Sequence, residues 1–232
     1  MLEFFASIGD YLYEGLIEEN RWQLLLQGLG NTVVIAVFAT LIGVAIGLLV
    51  AIAKVAAAQN KKLGWLNFIC DLYLTVIRGT PIVVQLLIMY FSIFAFITEA
   101  IPVAILTFGI NSGAYVAEII RSGILAVDRG QTEAGRSLGL TQSMTMRYIV
   151  LPQAIKNILP ALGNEFIALL KETSIAGYIA LMDITSAANL IRGRTYNNAP
   201  LYATAIVYLI LVIGMTRVLR HFERRMAKND QR

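Results

Sequence analysis

The sequence contains very little of the chemistry on which soluble domains and enzymes depend. Its 232 residues include one cysteine (Cys70), one histidine (His221) and five prolines, and only 15% of them are charged. A single cysteine excludes a disulfide framework, and one cysteine with one histidine leaves no chelating cluster for a structural zinc site. No Gly-x-x-x-x-Gly-Lys-Ser/Thr loop or His-Glu-x-x-His pair occurs. We therefore expect neither ATP binding of the P-loop type nor enzymatic activity in this chain.

What the sequence has in abundance is apolar side chains. They make up 57% of the residues, and the mean hydropathy is +0.68, which is typical of an integral membrane protein. The net charge of +4 arises from basic residues at the ends of apolar segments, which indicates membrane topology rather than nucleic-acid binding. Residues 1–19 contain five acids and no base, so we expect no cleaved signal peptide.

Five apolar segments are long enough to cross a bilayer, which takes about 20 residues. They cover about residues 31–54, 63–97, 101–127, 152–170 and 201–219. Residues 78–81, Arg-Gly-Thr-Pro, interrupt the second segment, because proline lacks an N–H and biases the preceding residue away from helix. In the first segment, Gly43 and Gly47 form either a face for close helix contact or lipid-facing filler.

Lysine and arginine predict the orientation of these spans, because positively charged flanks stay in the cytoplasm. The most basic regions follow the first span, separate the third from the fourth, and follow the fifth. We therefore predict an all-α membrane protein of five helices, with the N-terminus outside, the C-terminus inside and one transmembrane domain over residues 1–232. The polar loop of about residues 128–152 is then cytoplasmic. No internal repeat is evident, which weakens the class of secondary carriers without excluding it.

The cytoplasmic loop carries the signals of two short helices joined by a bend. Residues 130–138 can form two helical turns, and Gly139 suits the left-handed position that follows a helix. Thr141 suits the N-cap of a second helix that runs through Val150, and Pro152 suits the first turn of the fourth span. On physical grounds alone, an ordinary amphipathic surface helix explains the loop equally well.

The loop resembles the EAA loop of ATP-binding cassette (ABC) importer permeases. The matching residues are Glu133, Ala134, Gly135, Gly139 and residues 149–152 (Ile-Val-Leu-Pro), with Gly135 where a second alanine is usual. Other stretches resemble the polar amino acid uptake branch of this family. They are residues 30–32, 78–81 with Gln85, 113–118, 121–124, 164–167 and 170–174, so that the resemblance extends over about residues 28–220.

This resemblance implies the type I importer fold and a transport subunit for a polar or basic amino acid in the bacterial inner membrane. It also implies three protein partners besides the membrane lipid, and no nucleic acid. They are a cytoplasmic ABC ATPase dimer, an extracytoplasmic substrate-binding protein and a second permease chain, identical or related. ATP-Mg would be held by the ATPase, and this chain would hold no cofactor. The residues implied to dock the ATPase are Glu133, Ala134, Gly135, Leu138, Gly139 and Leu140.

Polar residues within the predicted spans indicate a pathway, a partner or a binding site. Asn111, Tyr115, Glu118 and Ser122 are spaced four, three and four, and so form one stripe of the third span. We expect Asn111, Tyr115, Asn164 and Glu165 to line the pathway. Glu165 would neutralise a substrate ammonium or guanidinium, and the amides would bind its carboxylate.

Other charged residues of the spans fit structural roles better. Glu118 can pair with Arg121 one turn away, and Lys171 and Glu172 can link helices. Arg78, beside the helix break, fits an anchor or a gate element better than a ligand. Two other classes stay open at this stage, an ion-coupled secondary amino acid carrier and a membrane scaffold that recruits a partner through its basic loop.

Overall fold

The computed structural model describes residues 9–229, and this part of the chain is helical without any strand. Short π-helical turns (Tyr13–Ile17, Met89–Ile93 and Met146–Val150) and 3-10 turns (Glu18–Asn20, Lys61–Leu63 and Thr173–Ile179) adjoin the α-helices. The α-helices are α1 (Arg21–Gln59), α2 (Gly64–Gly79), α3 (Ile82–Ile88), α4 (Ala100–Leu125), α5 (Arg129–Ser137), α6 (Gln142–Thr145), α7 (Leu151–Glu172), α8 (Ile184–Thr195) and α9 (Ala199–Asn229).

Three helical stretches are long and apolar enough to cross a membrane, judged by length and composition alone. They are Gly9–Ala58, Ala100–Leu125 and Ala199–Met226. Two further stretches qualify only as bent pairs, Gly64–Gly79 with Ile82–Ile93 and Gln142–Ile179 with Ile184–Thr195. The described residues thus contain three candidate spans, or up to five if each bent pair is one span. The all-helical prediction is confirmed, and the count of five stays a prediction.

The predicted interruption of the second span lies where the sequence places it. Helix α2 ends at Gly79, and Thr80 adopts an extended conformation with φ −121° and ψ 146°. Pro81 causes this because its ring disfavours a helical conformation at the preceding residue. The Thr80 hydroxyl donates a hydrogen bond to the Val76 carbonyl at 2.8 Å, so it satisfies an acceptor near the helix end.

Hydropathy alone underestimates how much of the chain is helical at two places. Helix α1 begins at Arg21 rather than near residue 31, because a helix can continue into polar flanks where no breaker residue stops it. Helix α8, Ile184–Thr195, was not predicted because it is too polar to resemble a span. Its N-cap is the buried Asp183, which accepts hydrogen bonds from the backbone N–H groups of Thr185 at 2.9 Å and Ser186 at 3.0 Å. An aspartate at this position is a usual signal for a helix start.

The contacts of the chain divide into two compact units. Unit 1 contains the described residues of Met1–Ala39 together with Ile82–Phe108 and Ala168–Met215. Unit 2 contains Thr40–Pro81, Gly109–Ile167 and the described residues of Thr216–Arg232. Long helices such as α1 and α4 contribute residues to both units.

Within unit 1, the first part of α1 holds the turn that precedes α8. The Asn31 amide donates to the Met182 carbonyl at 2.8 Å, and the Thr32 hydroxyl accepts from the Ile184 N–H at 3.3 Å. A Cβ atom on Gly28 would lie 2.6 Å from the Asp183 carbonyl oxygen, so only glycine permits this approach. Asn31 and Thr32, which contributed to the family resemblance, thus have a structural role in holding this turn.

Within unit 2, the small-residue face of α1 packs directly against α4. A Cβ on Gly43 would lie 2.9 Å from the Ser112 Cβ, and one on Gly47 would lie 2.5 Å from the Val116 Cγ1 and 2.9 Å from the Ala117 backbone nitrogen. Contacts this short are possible only without a side chain at the glycine. The interpretation of this face as a close helix contact is confirmed, and the lipid-facing alternative is wrong.

A side chain at Gly47 should therefore destabilise unit 2. For Gly47→Val we expect a loss of about 1–3 kcal/mol, the usual cost of overpacking, because part of the clash is with α4 backbone. Thermal unfolding of the purified protein in detergent measures this loss. Gly214→Val is the matched control, since nothing lies within 4 Å of a Cβ at that glycine of α9. Equal melting temperatures for the two variants would contradict the close packing of α1 on α4.

Candidate functional site

The loop between α4 and α7 begins with a helix whose two ends are both capped. At its start, the Asp128 carboxylate accepts from the Gly130 N–H at 2.6 Å. At its end, the Leu140 N–H donates to the Gly135 carbonyl at 3.1 Å and the Gly139 N–H donates to the Arg136 carbonyl at 3.0 Å. This pair of bonds is the Schellman motif, which requires a left-handed residue after the helix. Gly139 has φ +84°, as the sequence predicts.

The second half of the loop begins at Thr141 and continues without interruption into α7. The Thr141 hydroxyl accepts from the Met144 N–H at 3.3 Å, which confirms the predicted N-cap. The π-helical turn Met146–Val150 joins α6 to α7, and the backbone is helical at both junctions. Pro152 is the second residue of α7 and directly follows the π-helical turn. The loop is thus rigidly connected to α7.

Gly135 joins the two halves of the loop. It is buried, and a Cβ on it would lie 2.8 Å from the Ile149 Cδ1 and 2.9 Å from the Thr145 Cγ2. Helix α5 therefore packs against the π-helical turn through a residue that has no side chain. An alanine at this position would require the Ile149 or Thr145 side chain to shift.

The outer surface of the loop carries the other residues of the EAA-type pattern. Glu133 and Ala134 are exposed on α5, and Leu138 at the bend is 81% exposed. Leu140 is half-buried behind it. A leucine this exposed at the tip of a rigid loop favours contact with another protein, although one residue is far smaller than a complete interface.

Gly135, Ser137 and Gly139 also match the spacing of the Gly-x-Ser-x-Gly nucleophile motif of hydrolases. That motif needs a sharp turn from a strand into a helix, with the serine at the turn. Here Ser137 is the last residue of α5, and the segment before it is helical. The match in spacing therefore carries no catalytic geometry.

One of the predicted pathway residues, Glu165, makes a polar contact between α7 and α4. The Ser112 hydroxyl donates to Glu165 Oε1 at 2.8 Å. Ser112 is fully buried and its neighbour Asn111 is 3% exposed, whereas Glu165 is half-buried and Asn164 is exposed. Both helices belong to unit 2 at these residues. The structure thus brings Glu165 into contact with Ser112, the residue that follows Asn111 in α4.

Tyr115 belongs to a second cluster on the same helix. The Glu118 carboxylate accepts from Arg121 Nε at 2.9 Å, and Arg78 Nη1 lies 3.7 Å from Glu118 Oε2. The Arg78 guanidinium also lies 5.8 Å from the centre of the Tyr115 ring, within the range of a cation–π contact. The predicted pairing of Glu118 with Arg121 is confirmed. Arg78 joins this pair at the end of α2, beside the helix break.

The two clusters are neighbours along α4, because Ser112 and Tyr115 are three residues apart and therefore share a face. Sequence reasoning found Asn111 and Tyr115 but missed Ser112 and the contact of Arg78 with Glu118. The three-residue spacing of Ser112, Tyr115 and Glu118 was a usable signal for this face. A small serine in an apolar helix gave no other sign of its partner on α7.

Asp71, the acid of the second predicted span, has a structural role. Asp71 on α2 forms an ion pair with Lys54 on α1, and the Asn67 amide donates to its second carboxylate oxygen at 2.7 Å. Lys171 and Glu172 lie exposed at the end of α7. Asp71 therefore links two helices and does not belong to the two polar clusters.

These features together are typical of a helical membrane transporter subunit: the apolar helices are broken, they contain polar clusters, and a rigid loop lies at the helix ends. The chain belongs to the family of binding-protein-dependent transport system inner membrane components, whose family model matches residues 43–228. Its curated relatives include the arginine transport system permease protein ArtQ of Bacillus subtilis (strain 168). ArtQ is 38% identical over 210 residues, which are 89% of this chain and 94% of ArtQ.

The glutamine transport system permease protein GlnP of Escherichia coli (strain K12) is 37% identical over 209 residues, 88% of this chain and 93% of GlnP. Among solved structures, the crystal structure of an amino acid ABC transporter with histidines contains a chain that is 44% identical to this one. The match covers 88% of this chain and 94% of that chain, with a TM-score of 0.81. The methionine transporter MetNI supports the fold alone, because it is only 19% identical. Its match has a TM-score of 0.76 and covers 90% of this chain and 99% of the MetNI chain. The type I ABC importer permease fold is confirmed.

Proposed function

We propose that this chain is the permease subunit of an ATP-driven importer of amino acids in the bacterial inner membrane. The observation that carries this proposal is the match over most of the chain to permeases of arginine and glutamine transport systems. A polar or basic amino acid is the substrate that fits both these relatives and the half-buried carboxylate of Glu165.

The loop of residues 128–152 docks the permease onto a cytoplasmic ABC ATPase dimer, which holds ATP-Mg. Three features support this role: the capped bend at Gly139, the packing of Gly135 on the π-helical turn, and the exposed Leu138. A rigid loop can transmit a displacement of the ATPase to α7, because no flexible segment separates Thr141 from that helix. A flexible loop would absorb the displacement.

The working importer contains two permease chains, identical or related, and receives its substrate from an extracytoplasmic binding protein. The chain crosses the membrane five times, with the N-terminus outside and the C-terminus inside. The bent helix pairs, which permit five spans, and the distribution of lysine and arginine support this topology.

The substrate site lies at Asn111, Tyr115, Asn164 and Glu165. The carboxylate of Glu165 attracts an ammonium or guanidinium group, and the amides of Asn111 and Asn164 bind the substrate carboxylate. The contact of Ser112 with Glu165 supports this site, because it places a half-buried negative charge at a defined position between α4 and α7. Arg78, with Tyr115 and Glu118, forms a gate element at the end of α2.

Uptake by proteoliposomes tests the proposed function. The permease is reconstituted with its ATPase, and uptake of labelled arginine and glutamine is followed with ATP inside and the binding protein outside. We expect uptake only when both ATP and the binding protein are present. Uptake driven by an ion gradient alone would show a secondary carrier, and no uptake under any condition would favour a scaffold.

A further inference from the structure

We infer that Ser112 is a positioning residue that orients the Glu165 carboxylate and so strengthens the binding of amino acids with a cationic side chain. This inference rests on the proposed role of Glu165 in substrate binding. It adds a residue on a different helix, α4, whose hydroxyl acts on the substrate only through the carboxylate on α7.

The hydrogen bond between the two residues has the geometry of a strong contact. Ser112 Oγ lies 2.8 Å from Glu165 Oε1, and the serine is fully buried. Hydrogen bonds to an ionised carboxylate are about twice as strong as those between neutral groups. In the low dielectric of a membrane protein interior, such a bond holds one carboxylate oxygen in place.

The position of the Ser112 hydroxyl is itself set by α1. A Cβ on Gly43 would lie 2.9 Å from both the Cβ and the Oγ of Ser112, so the α1 backbone passes directly against this side chain. The absence of a side chain at Gly43 leaves space for the serine and no more.

Helix α2 holds the same turn of α4. The Tyr73 hydroxyl donates to the Ile110 carbonyl at 2.6 Å, and a Cβ on Gly113 would lie 2.8 Å from that hydroxyl and 2.7 Å from the Ile46 Cγ2. Residues 110–113 are therefore fixed by α1 on one side and α2 on the other. The serine donor has a defined position before any substrate binds, and such preorganised donors give selectivity because they need no rearrangement.

Loss of the serine hydroxyl should affect cationic and neutral substrates differently. Without this donor, the Glu165 carboxylate loses its hydrogen bond from α4, and a side-chain ammonium or guanidinium meets a less well-oriented carboxylate. For Ser112→Ala we expect about tenfold weaker binding of arginine, the effect of losing one charge-assisted hydrogen bond. Binding of glutamine should change by less than about twofold if Glu165 faces the substrate side chain, which is neutral in glutamine, rather than the α-ammonium that both amino acids share.

Equilibrium binding of labelled arginine and glutamine to the purified permease–ATPase complex measures both effects. Thr107→Val is the matched control, since it also removes a buried hydroxyl from α4. That hydroxyl donates to the Val103 carbonyl of the same helix at 2.8 Å. We expect the control to leave the ratio of arginine to glutamine affinity unchanged. An equal shift in both variants would show a general disturbance of α4 and would overturn the inference.

A double-mutant cycle separates positioning from a purely structural role. In an E165Q background, Ser112→Ala should weaken arginine binding no further, because the serine acts through the carboxylate. An additional tenfold loss in the double variant would overturn the inference. Ser112→Gly also removes the hydroxyl and adds no atom against Gly43, so it should give the same loss and serves as the test if the alanine variant does not assemble.

The same binding data distinguish failure of this inference from failure of the proposed site. If wild-type and E165Q complexes bind arginine equally well, Glu165 is not a substrate ligand, and both proposals fail. If E165Q loses arginine while S112A retains it, the substrate site stands and the role of Ser112 is wrong.

Discussion

Replacing Glu165 with glutamine is expected to reduce uptake of arginine by about a hundredfold or more while the permease complex still assembles. Removing one partner of a buried, hydrogen-bonded charge pair costs about 2–5 kcal/mol of binding free energy. A glutamine amide oxygen can still accept the hydrogen bond of Ser112, so the contact between α4 and α7 should survive. Uptake of arginine and of glutamine by proteoliposomes measures the change.

Glu172→Gln is the matched control for this experiment. Glu172 lies on α7, two helical turns after Glu165, and its replacement makes the same glutamate-to-glutamine change on the same helix. We expect the control to transport arginine at close to the wild-type rate. An equal loss in both variants would indicate a general charge effect, and unchanged transport in E165Q would remove Glu165 from the substrate site.

Replacing Leu138 with aspartate is expected to uncouple the permease from its ATPase. Leu138 is 81% exposed, so the change should leave the fold of the permease intact. A central apolar contact of an interface contributes about 2 kcal/mol or more, and an aspartate would in addition need desolvation at that position. We expect at least a tenfold loss of ATPase recovered with the tagged permease, and a comparable loss of ATP-driven uptake.

Leu138→Met controls for the identity of the side chain, because methionine keeps the apolar contact and nearly the same volume. The methionine variant should recover the ATPase as the wild type does. Thermal unfolding of the permease alone shows whether the aspartate variant is folded. Normal ATPase recovery with a folded L138D permease would contradict docking through the tip of the loop.

Local sequence signals predicted the loop and the break in the second span well. Gly139, Thr141 and Pro81 each impose a backbone conformation that depends only on their neighbours in the chain, and the structure shows all three as predicted. The same holds for the pairing of Glu118 with Arg121, since residues three apart on a helix are adjacent.

Contacts between distant segments could not be predicted in the same way. Ser112 meets Glu165 across 53 positions of sequence, and Gly43 meets Ser112 across a different pair of helices. Such contacts depend on how helices cross, which a hydropathy pattern does not specify. Helix α8 was missed for another reason, because its polar composition hides a helix that Asp183 begins.

The continuity of the chain from Thr141 into α7 has a thermodynamic consequence. The second half of the proposed docking loop and Glu165 lie on one continuous helical segment, which from Gln142 to Glu165 extends about 35 Å at 1.5 Å per residue. If nucleotide binding to the ATPase changes the affinity for an amino acid through this segment, linkage requires the amino acid to change nucleotide affinity by the same factor. Substrate in the membrane pathway would then act as an effector of ATP binding.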